Sequence, residues 1–481
     1  MASVIPFISL RPASELAAEY AALPYDVFSR DEAAAEIAAH PLSFLRIDST
    51  AALFPAEHDE YDPRVYAYAR ELLEADERNS VLISESDSKP HYYLYRLRRG
   101  QHEQTGVVAC VSVEDYHHDV IKCHENTRTR KRKDRVEHIA ALEAHTGPVL
   151  IAYRPHKAID AAVAAAVGGG AVVGAAVATP LYDFVAPDGV QHSIWRIDDE
   201  ATAAMLQQAF SEIDALYIAD GHHRAAAAAL IGDRRHEAQK PSADQRGGGS
   251  SPRPGDNTTR CLGDNTTHCP GDNTTPCPDD NATPRPGDNA TPYPDDPASN
   301  FDDPSAHFLA VLFPADQLTI LDYNRVVTDL NGYTPEEFLR RVGAIFELSD
   351  LPIGQEPYRP EQRGAIGMYT QGTWYRLTIP ECLRSDDPVA GLDVSVLQDH
   401  LLAPILNIDD PRRSSRIAFV GGARGLKELE RRADASQGVA FALYPCSLGE
   451  LFSVADKGKL MPPKSTWFEP KPRSGLFIHK I

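Results

Sequence analysis

The hexapeptide ADGHHR at positions 219–224 brings a carboxylate, two imidazoles and a guanidinium into one short turn. An apolar run precedes it and an alanine-rich run follows it, so the pattern predicts a strand–turn–helix unit. The glycine permits a tight turn, and the helix N-terminus directs unpaired N–H groups toward an anion. Asp220 can bind a metal ion or accept a proton, while His222, His223 and Arg224 supply hydrogen-bond donors. The alternative is a capped helix whose polar residues are solvated.

A second polar run, KCHENTRTRKRKDR, occupies positions 122–135. Glu125 is surrounded by cations and is expected to remain a carboxylate, which suits a base or a metal contact. If this run is helical, His124 and Arg128 share one face at i,i+4 spacing. The alternatives are a solvated charge run and a basic patch of the nuclear-localisation type.

A third run, MPPKSTWFEPKPRSG at 461–475, contains a Lys-Ser-Thr sequence like the end of a phosphate loop. The Gly-x-x-x-x-Gly-Lys frame is missing, so this is not a P-loop. The prolines predict a rigid loop whose cations and hydroxyls suffice to hold a phosphate. These groups are Lys464, Lys471, Arg473, Ser465 and Thr466.

The elements that must position these groups alternate along the chain. Short apolar runs rich in β-branched and aromatic residues predict strands at 91–97, 105–113, 149–153, 215–220, 308–313, 373–379, 416–422 and 438–445. Periodic runs rich in Ala, Leu and Glu predict helices at 31–40, 62–77, 134–145, 202–214, 334–346 and 426–434. This alternation predicts an α/β or α+β class, with mixed sheets and flanking helices.

Residues 237–306 interrupt this pattern with a Pro/Gly/Asp/Asn/Thr-rich repeat of period eight. The repeat has almost no apolar residues to bury, so it predicts a disordered insert in a loop. Residues 1–236 then form an N-terminal α/β part that carries the first two polar runs. Residues 307–481 form a C-terminal α/β part that completes the same structure.

Composition narrows the function classes. The chain has 69 acidic and 48 basic residues and a net charge of −21, which disfavours a constitutive nucleic-acid or anionic-membrane binder. The cysteines form no CxxC pair and the N-terminus has no basic n-region, so a cytoplasmic protein is expected. The Ala/Val-rich segment 158–178 contains Asp160 and three consecutive glycines, and it predicts a surface helix and a loop, not a membrane span.

The chain resembles a bacterial-type protein family through short motifs distributed along its length. They are IPF and LRP within 5–12, PYDV at 24–27, HPLSFLR at 40–46, HExT at 124–127, DGHHR at 220–224, DYNR at 322–325 and PPKSTWFEPK at 462–471. Through DGHHR, that family is similar to the free L-serine kinases of the ParB/sulfiredoxin-like superfamily. In those kinases this type of turn carries catalytic and phosphate-binding residues, and a separate glutamate acts on the serine hydroxyl.

The resemblance implies a kinase that phosphorylates a small hydroxyl metabolite, with free L-serine giving O-phosphoserine. It implies Mg²⁺ and a phosphate donor, which is ATP, ADP or pyrophosphate, and a ParB/sulfiredoxin-like element around the turn. The expected catalytic residues are Glu125 as base, Asp220 as Mg²⁺ ligand or second base, His222 and His223. The expected substrate- and phosphate-binding residues are His124, Thr127, Arg224, Lys464, Ser465, Thr466 and Arg473. The alternatives are a phosphometabolite or nucleotide sensor without turnover and a ParB-like nucleic-acid adaptor.

Overall fold

The computed structural model describes residues 1–167, 179–239, 303–351 and 356–481. Nearly all of the predicted repeat insert and the second half of the Ala/Val-rich segment therefore lie outside the described residues.

The strands are β1 Val4–Ile5, β2 Ser9–Pro12, β3 Leu82–Ser84, β4 Tyr92–Arg99, β5 His102–Ser112, β6 Ile121–Lys122, β7 Ala144–His145, β8 Val149–Tyr153, β9 Tyr182–Val185, β10 Gln191–Ile197, β11 Leu216–Asp220, β12 His307–Pro314, β13 Thr319–Leu321, β14 Tyr323–Val327, β15 Glu347–Asp350, β16 Ala365–Thr370, β17 Thr373–Thr378, β18 Ile417–Gly421, β19 Val439–Ala442, β20 Trp467–Glu469 and β21 Ile478–Lys480. The helices are α1 Ala17–Tyr20, α2 Arg30–Ala39, α3 Leu45–Asp48, α4 Pro63–Arg78, α5 Val113–His117, α6 Thr129–Leu142, α7 Lys157–Ala166, α8 Glu200–Ser211, α9 His222–Gln239, α10 Pro335–Gly343, α11 Asp393–Leu397, α12 Lys427–Ser436 and α13 Leu448–Asp456.

A nine-stranded mixed sheet forms the centre of the fold, with the order β6-β11-β8-β12-β5-β4-β10-β9 and with β1 added beside β5. The strand β12, which follows the repeat segment in sequence, lies parallel to β8 and antiparallel to β5. All eight residues of β12 are buried, as expected for an apolar run in the middle of a sheet covered on both faces. The chain on both sides of the insert therefore shares one sheet.

A second sheet is fully antiparallel, and its six strands follow the order β15-β17-β16-β19-β14-β18. A four-stranded sheet, β3-β2-β21-β7, joins the two ends of the chain through pairing of Ser9 with His479. The small sheet β13-β20 fixes the start of the strand that follows the Lys-Ser-Thr loop, because Leu321 pairs with Trp467. These pairings bring the C-terminal loop back to the central sheet.

The predicted class is confirmed: the chain is a mixed α/β protein with several sheets and flanking helices. Each of the eight predicted strands and six predicted helices corresponds to an observed element. The helix α6 begins at Thr129, before the predicted start at 134. The expectation that His124 and Arg128 share a helix face was wrong, because both precede α6 in an extended loop. Among the described helices, none is long and apolar enough to cross a membrane.

Candidate active site

The ADGHHR hexapeptide forms the junction between β11 and α9. Asp220 is the last residue of β11 and His222 is the first residue of α9. Between them, Gly221 has a φ of +99°, and a Cβ at this position would lie 3.1 Å from the guanidinium of Arg224. A side chain here would be strained by the backbone and would crowd that guanidinium. The predicted strand–turn–helix unit is confirmed.

The carboxylate of Asp220 lies between two cations. Lys471 Nζ is 3.2 Å from Oδ2 of Asp220, and the guanidinium of Arg224 is 3.4 Å from the same oxygen. Burial favours the neutral acid, but the charges of Lys471, Arg224 and Lys464 outweigh it and hold the pKa of Asp220 below its usual range. Asp220 is therefore an anion at neutral pH, and the cations around it outnumber it.

Lys464 reaches this cluster from a tight loop. Its φ is +58°, and the loop is held by a 3.0 Å hydrogen bond from Arg325 to the carbonyl of Pro463. Ser465 closes the turn by donating its hydroxyl to the carbonyl of Pro462 at 2.6 Å. Burial would lower the pKa of Lys464, but Tyr323 and nearby carboxylates raise it, so the ammonium stays charged.

Glu125 faces the same space from the loop before α6. Burial raises the pKa of Glu125, while the charge and the backbone N–H of Lys464 oppose that rise. Asp220 adds a like charge that also raises it. A carboxylate with an elevated pKa beside a cation suits proton transfer.

Two buried histidines adjoin Glu125. The rings of His124 and His222 meet edge to face, with centroids 4.5 Å apart at 85°. Nε2 of His124 is 3.1 Å from the hydroxyl oxygen of Thr466. Burial lowers the pKa of His124 to about 4 and that of His222 well below its usual value, so both are neutral imidazoles. One ligand atom from each of His124, Glu125 and His222 lies within 4.8 Å of the others, so these three residues could hold a metal ion.

The remaining predicted residues line the edge of the cluster. His223 turns toward α6, and its Nε2 accepts a 3.0 Å hydrogen bond from the backbone N–H of Arg128. Burial and the positive charge of Lys464 together lower the pKa of His223 to about 4. Thr127 is half-buried in the loop between Glu125 and that backbone contact.

The structure brings most of the predicted residues together but places Arg473 elsewhere. The Arg473 guanidinium is 2.7 Å from Asp188 and 3.3 Å from Nε2 of His192. Lys471, two residues earlier, contacts Asp220, whereas Arg473, which was predicted to bind phosphate, does not. Lys471 and Arg473 belong to one basic loop, and Arg473 forms an ion pair with Asp188 instead of contacting Asp220.

Sequence reasoning gave no role to two residues of the DYNR motif. The ring of Tyr323 lies 5.8 Å from Lys464 Nζ and packs against Trp467 with centroids 5.3 Å apart. The buried Arg325 holds the loop that carries Lys464. Their presence in a shared motif was the available signal. Residue type alone did not distinguish them from core residues.

The family model described as "Protein of unknown function (DUF1015)" matches residues 4–248 and 290–395. This chain belongs to the DUF1015 family. The match confirms the family resemblance carried by the motifs, and it spans both the β11–α9 turn and the start of the C-terminal part. No protein with a curated description matches the DUF1015 chain.

Solved structures with a detectable likeness to this DUF1015 protein are distant. A free serine kinase variant in complex with ADP is 11% identical, with 77% of this chain and 92% of that chain covered and a TM-score of 0.32. SbnI from Staphylococcus aureus, truncated at its C-terminus, is 11% identical, with 76% and 85% covered and a TM-score of 0.31. A conserved hypothetical protein from Pyrococcus furiosus is 10% identical, with 77% and 94% covered and a TM-score of 0.32. Likeness at this level carries no argument about function, which therefore has to be argued from the residues of the site.

Proposed function

We propose that this protein is a phosphotransferase that moves a phosphoryl group from a nucleotide or pyrophosphate to a small hydroxyl metabolite, with free L-serine as the first substrate to test. The observation that carries the proposal is the convergence of three cations on Asp220 beside Glu125. Arg224, Lys464 and Lys471 come from two distant parts of the sequence and meet at the β11–α9 junction.

The cation cluster suits a phosphoryl group. Transfer of phosphate develops charge on the oxygens of the transferred group, and fixed positive charges stabilise it. Asp220 holds two of these cations in place before a ligand arrives, which avoids reorganisation during the reaction. The N-terminus of α9, which has eighteen residues, directs backbone N–H groups toward the same point.

We assign Glu125 as the base that takes the proton from the substrate hydroxyl. Its carboxylate is close enough to Lys464 for their charges to interact, so a hydroxyl beside Glu125 would also lie near the cations. A base and an electrophile stabiliser in one space are the minimum that hydroxyl phosphorylation requires. His222 and His223 complete the surroundings of the proposed site.

Mg²⁺ fits this site only together with donor phosphates. Both cation contacts of Asp220 use Oδ2, and neither uses Oδ1. One carboxylate oxygen is a small share of the six oxygens that Mg²⁺ requires, and phosphates and water would supply the others. Bound with its donor, Mg²⁺ would neutralise charge on the phosphates. Asp220 would orient that assembly and the cations.

The site is proposed to require both predicted parts of the chain. Residues 1–236 supply Glu125 and the β11–α9 turn, and residues 307–481 supply the loop with Lys464 and Lys471. Pairing of β12 with β5 and β8 in the central sheet joins these two parts of the chain.

The test is to incubate the full chain with L-serine and Mg²⁺ and, in parallel, ATP, ADP or pyrophosphate, and to detect O-phosphoserine by mass spectrometry. At least one donor is expected to give product. Lys480→Met, which removes a lysine that pairs with Glu77 on the surface, is expected to form product like the wild type. No product with any donor would contradict the serine assignment. A ligand-dependent rise in melting temperature without product would identify a binding protein.

A further inference from the structure

Three side chains beside the cation cluster form a second feature that phosphoryl transfer does not by itself require. His124 is 1% exposed and His222 is 6% exposed, while Glu125 is half-buried. One ligand atom from each lies within 4.8 Å of the other two. Around an ion such as Zn²⁺ the ligand atoms lie roughly 3.3 Å apart, so shifts on the order of 1 Å would close the site.

The two ring nitrogens of His124 have different surroundings. Its Nε2 is 3.1 Å from the hydroxyl oxygen of Thr466. Its buried Nδ1 makes no hydrogen bond of good geometry with the described residues, although the ring also interacts with the backbone of Ile218. A buried polar nitrogen without a partner is costly and calls for a ligand. A metal-bound histidine commonly donates its other ring N–H to an oxygen, which fixes the tautomer. The hydroxyl oxygen of Thr466 is in position to accept such a hydrogen bond.

The second histidine is weakly engaged. Nε2 of His222 lies 3.5 Å from the backbone N of His124, at the limit of a hydrogen bond. Such a contact contributes little and is readily exchanged for a metal–nitrogen bond. His222 opens α9, which packs against α6 and against the central sheet, so its backbone is fixed by both.

The donor set selects the class of ion. Two imidazoles and one carboxylate suit a divalent transition-metal ion, and three protein ligands leave a coordination position open for a substrate oxygen or water. Mg²⁺ and Ca²⁺ prefer oxygen ligands and would bind such a set poorly.

We infer that His124, Glu125 and His222 bind one divalent transition-metal ion, such as Zn²⁺ or Mn²⁺, next to the phosphate-binding cations. The role of the ion rests on the proposed function: it would hold and polarise the hydroxyl of the acceptor. One oxygen of Glu125 would bind the ion, which leaves the other oxygen for the proton.

The test is calorimetric titration of the chelator-treated full chain with ZnCl₂, MnCl₂ and MgCl₂ in the absence of any phosphate donor. Every sample carries Cys261→Ser, Cys269→Ser and Cys277→Ser, because thiolates are Zn²⁺ ligands and would compete with the proposed site. The expected result is one equivalent of Zn²⁺ and a much weaker response to Mg²⁺.

The variants assign the ligands. His124→Gln and His222→Gln are expected to weaken Zn²⁺ binding by at least about 100-fold, and Thr466→Val, which keeps all three ligands, by about 10-fold. His40→Gln is the control variant, because His40 is an exposed histidine that pairs with Glu36 at the end of α2, and this variant is expected to bind Zn²⁺ like the wild type. Equal Zn²⁺ affinity in the wild type and the His124→Gln variant would overturn the inference.

The two proposals fail separately. Because no donor is present in the titration, a folded protein that does not bind Zn²⁺ would overturn the metal site and leave the proposed function standing. A protein that binds Zn²⁺ through His124 and His222 but forms no phosphorylated product would support the metal site and contradict the kinase.

Discussion

Two carboxylates of the central sheet region, Glu85 and Asp220, are each surrounded by cations, yet their surroundings differ. Glu85 has a fully buried side chain, and both of its oxygens are engaged. Arg11 and Tyr93 each lie 2.7 Å from Oε1, and Arg196 lies 2.5 Å from Oε2. No further ligand can reach this carboxylate, so the cluster holds β2, β4 and β10 together.

The carboxylate of Asp220 is 23% exposed, and its cation contacts are longer and use one oxygen. Lys471 and Lys464 keep charge that Asp220 alone does not neutralise. The number of buried charges therefore does not by itself distinguish a ligand-binding cluster from a structural one. What separates the two clusters is whether the charges are satisfied by one another, as at Glu85, or left available, as at Asp220.

The largest expected effect is at the proposed base. Glu125→Gln keeps the volume of the side chain and removes the proton acceptor, so phosphoserine formation is expected to fall by about 10²–10⁴-fold. Steady-state rates of the purified variant measure this. The control is Glu114→Gln, which changes a surface carboxylate in α5. A Glu125→Gln rate within threefold of the wild type would remove Glu125 from the reaction.

A substitution in the Glu85 cluster is expected to lower the free energy of unfolding and not the reaction rate. Glu85→Gln leaves the buried Arg11 without its counter-charge, whereas Arg196 keeps its ion pair with Asp198. Loss of one partner of a buried ion pair typically costs about 3–5 kcal/mol. Urea unfolding followed by circular dichroism measures the loss. A loss below about 1 kcal/mol would show that the Glu85 cluster is not a structural clamp, and the contrast with Asp220 would break down.

Within the Asp220 cluster, Lys471→Met is expected to lower kcat/KM for the phosphate donor by about 10- to 100-fold. The reason is that a charge-assisted hydrogen bond contributes about 1.5–3 kcal/mol. The measurement is KM and kcat for the donor, compared with those of Lys480→Met. An unchanged donor KM and kcat in Lys471→Met would mean that Lys471 only balances the charge of Asp220.

The smallest effect is expected from the repeat segment, whose sequence has almost no apolar residues to bury. Its flanks are close together, because the side-chain amide of Gln239 is 3.3 Å from a carboxylate oxygen of Asp303. A short Gly/Ser linker in place of residues 240–302 can therefore close the chain, and the change in loop entropy is about 1 kcal/mol. Thermal unfolding and phosphoserine formation are expected to stay near wild type. A stability loss above about 2 kcal/mol would contradict this.

Much of the fold could be predicted from local patterns. Strands such as β12 are continuous apolar runs, and α4 has a clear helical period with Asp62 as its N-cap. The strand β10 was missed because it carries His192, Ser193 and Arg196, which read as a polar loop. His192 is nevertheless fully buried, and its ring nitrogen lies 2.7 Å from the hydroxyl of Tyr95. Such a strand forms because it pairs with residues that are distant in sequence, and the local sequence does not show that pairing.

The sequence predicted which residues belong to the candidate site better than it predicted which of them contact one another. Asp220 and Lys464 were named from their motifs, but the sequence could not show that Lys471 and not Arg473 faces Asp220. That choice depends on Asp188, which lies about 285 residues before Arg473 in the chain and beside it in space. The grouping of His124 with His222 depends in the same way on contacts between distant segments.

The measurement that tests the proposed function most directly compares the wild type with Asp220→Asn. Asparagine has nearly the volume of aspartate but lacks the charge that holds Lys471 and Arg224. The two proteins are given L-serine, Mg²⁺ and the active donor, and O-phosphoserine is followed by phosphorus NMR while melting is recorded in parallel. The proposed function predicts at least about 100-fold slower product formation in a variant that is still folded at the assay temperature, although loss of the counter-charge of Lys471 and Arg224 lowers its melting temperature. Equal rates in the two proteins would contradict it and would make the β11–α9 turn a structural feature.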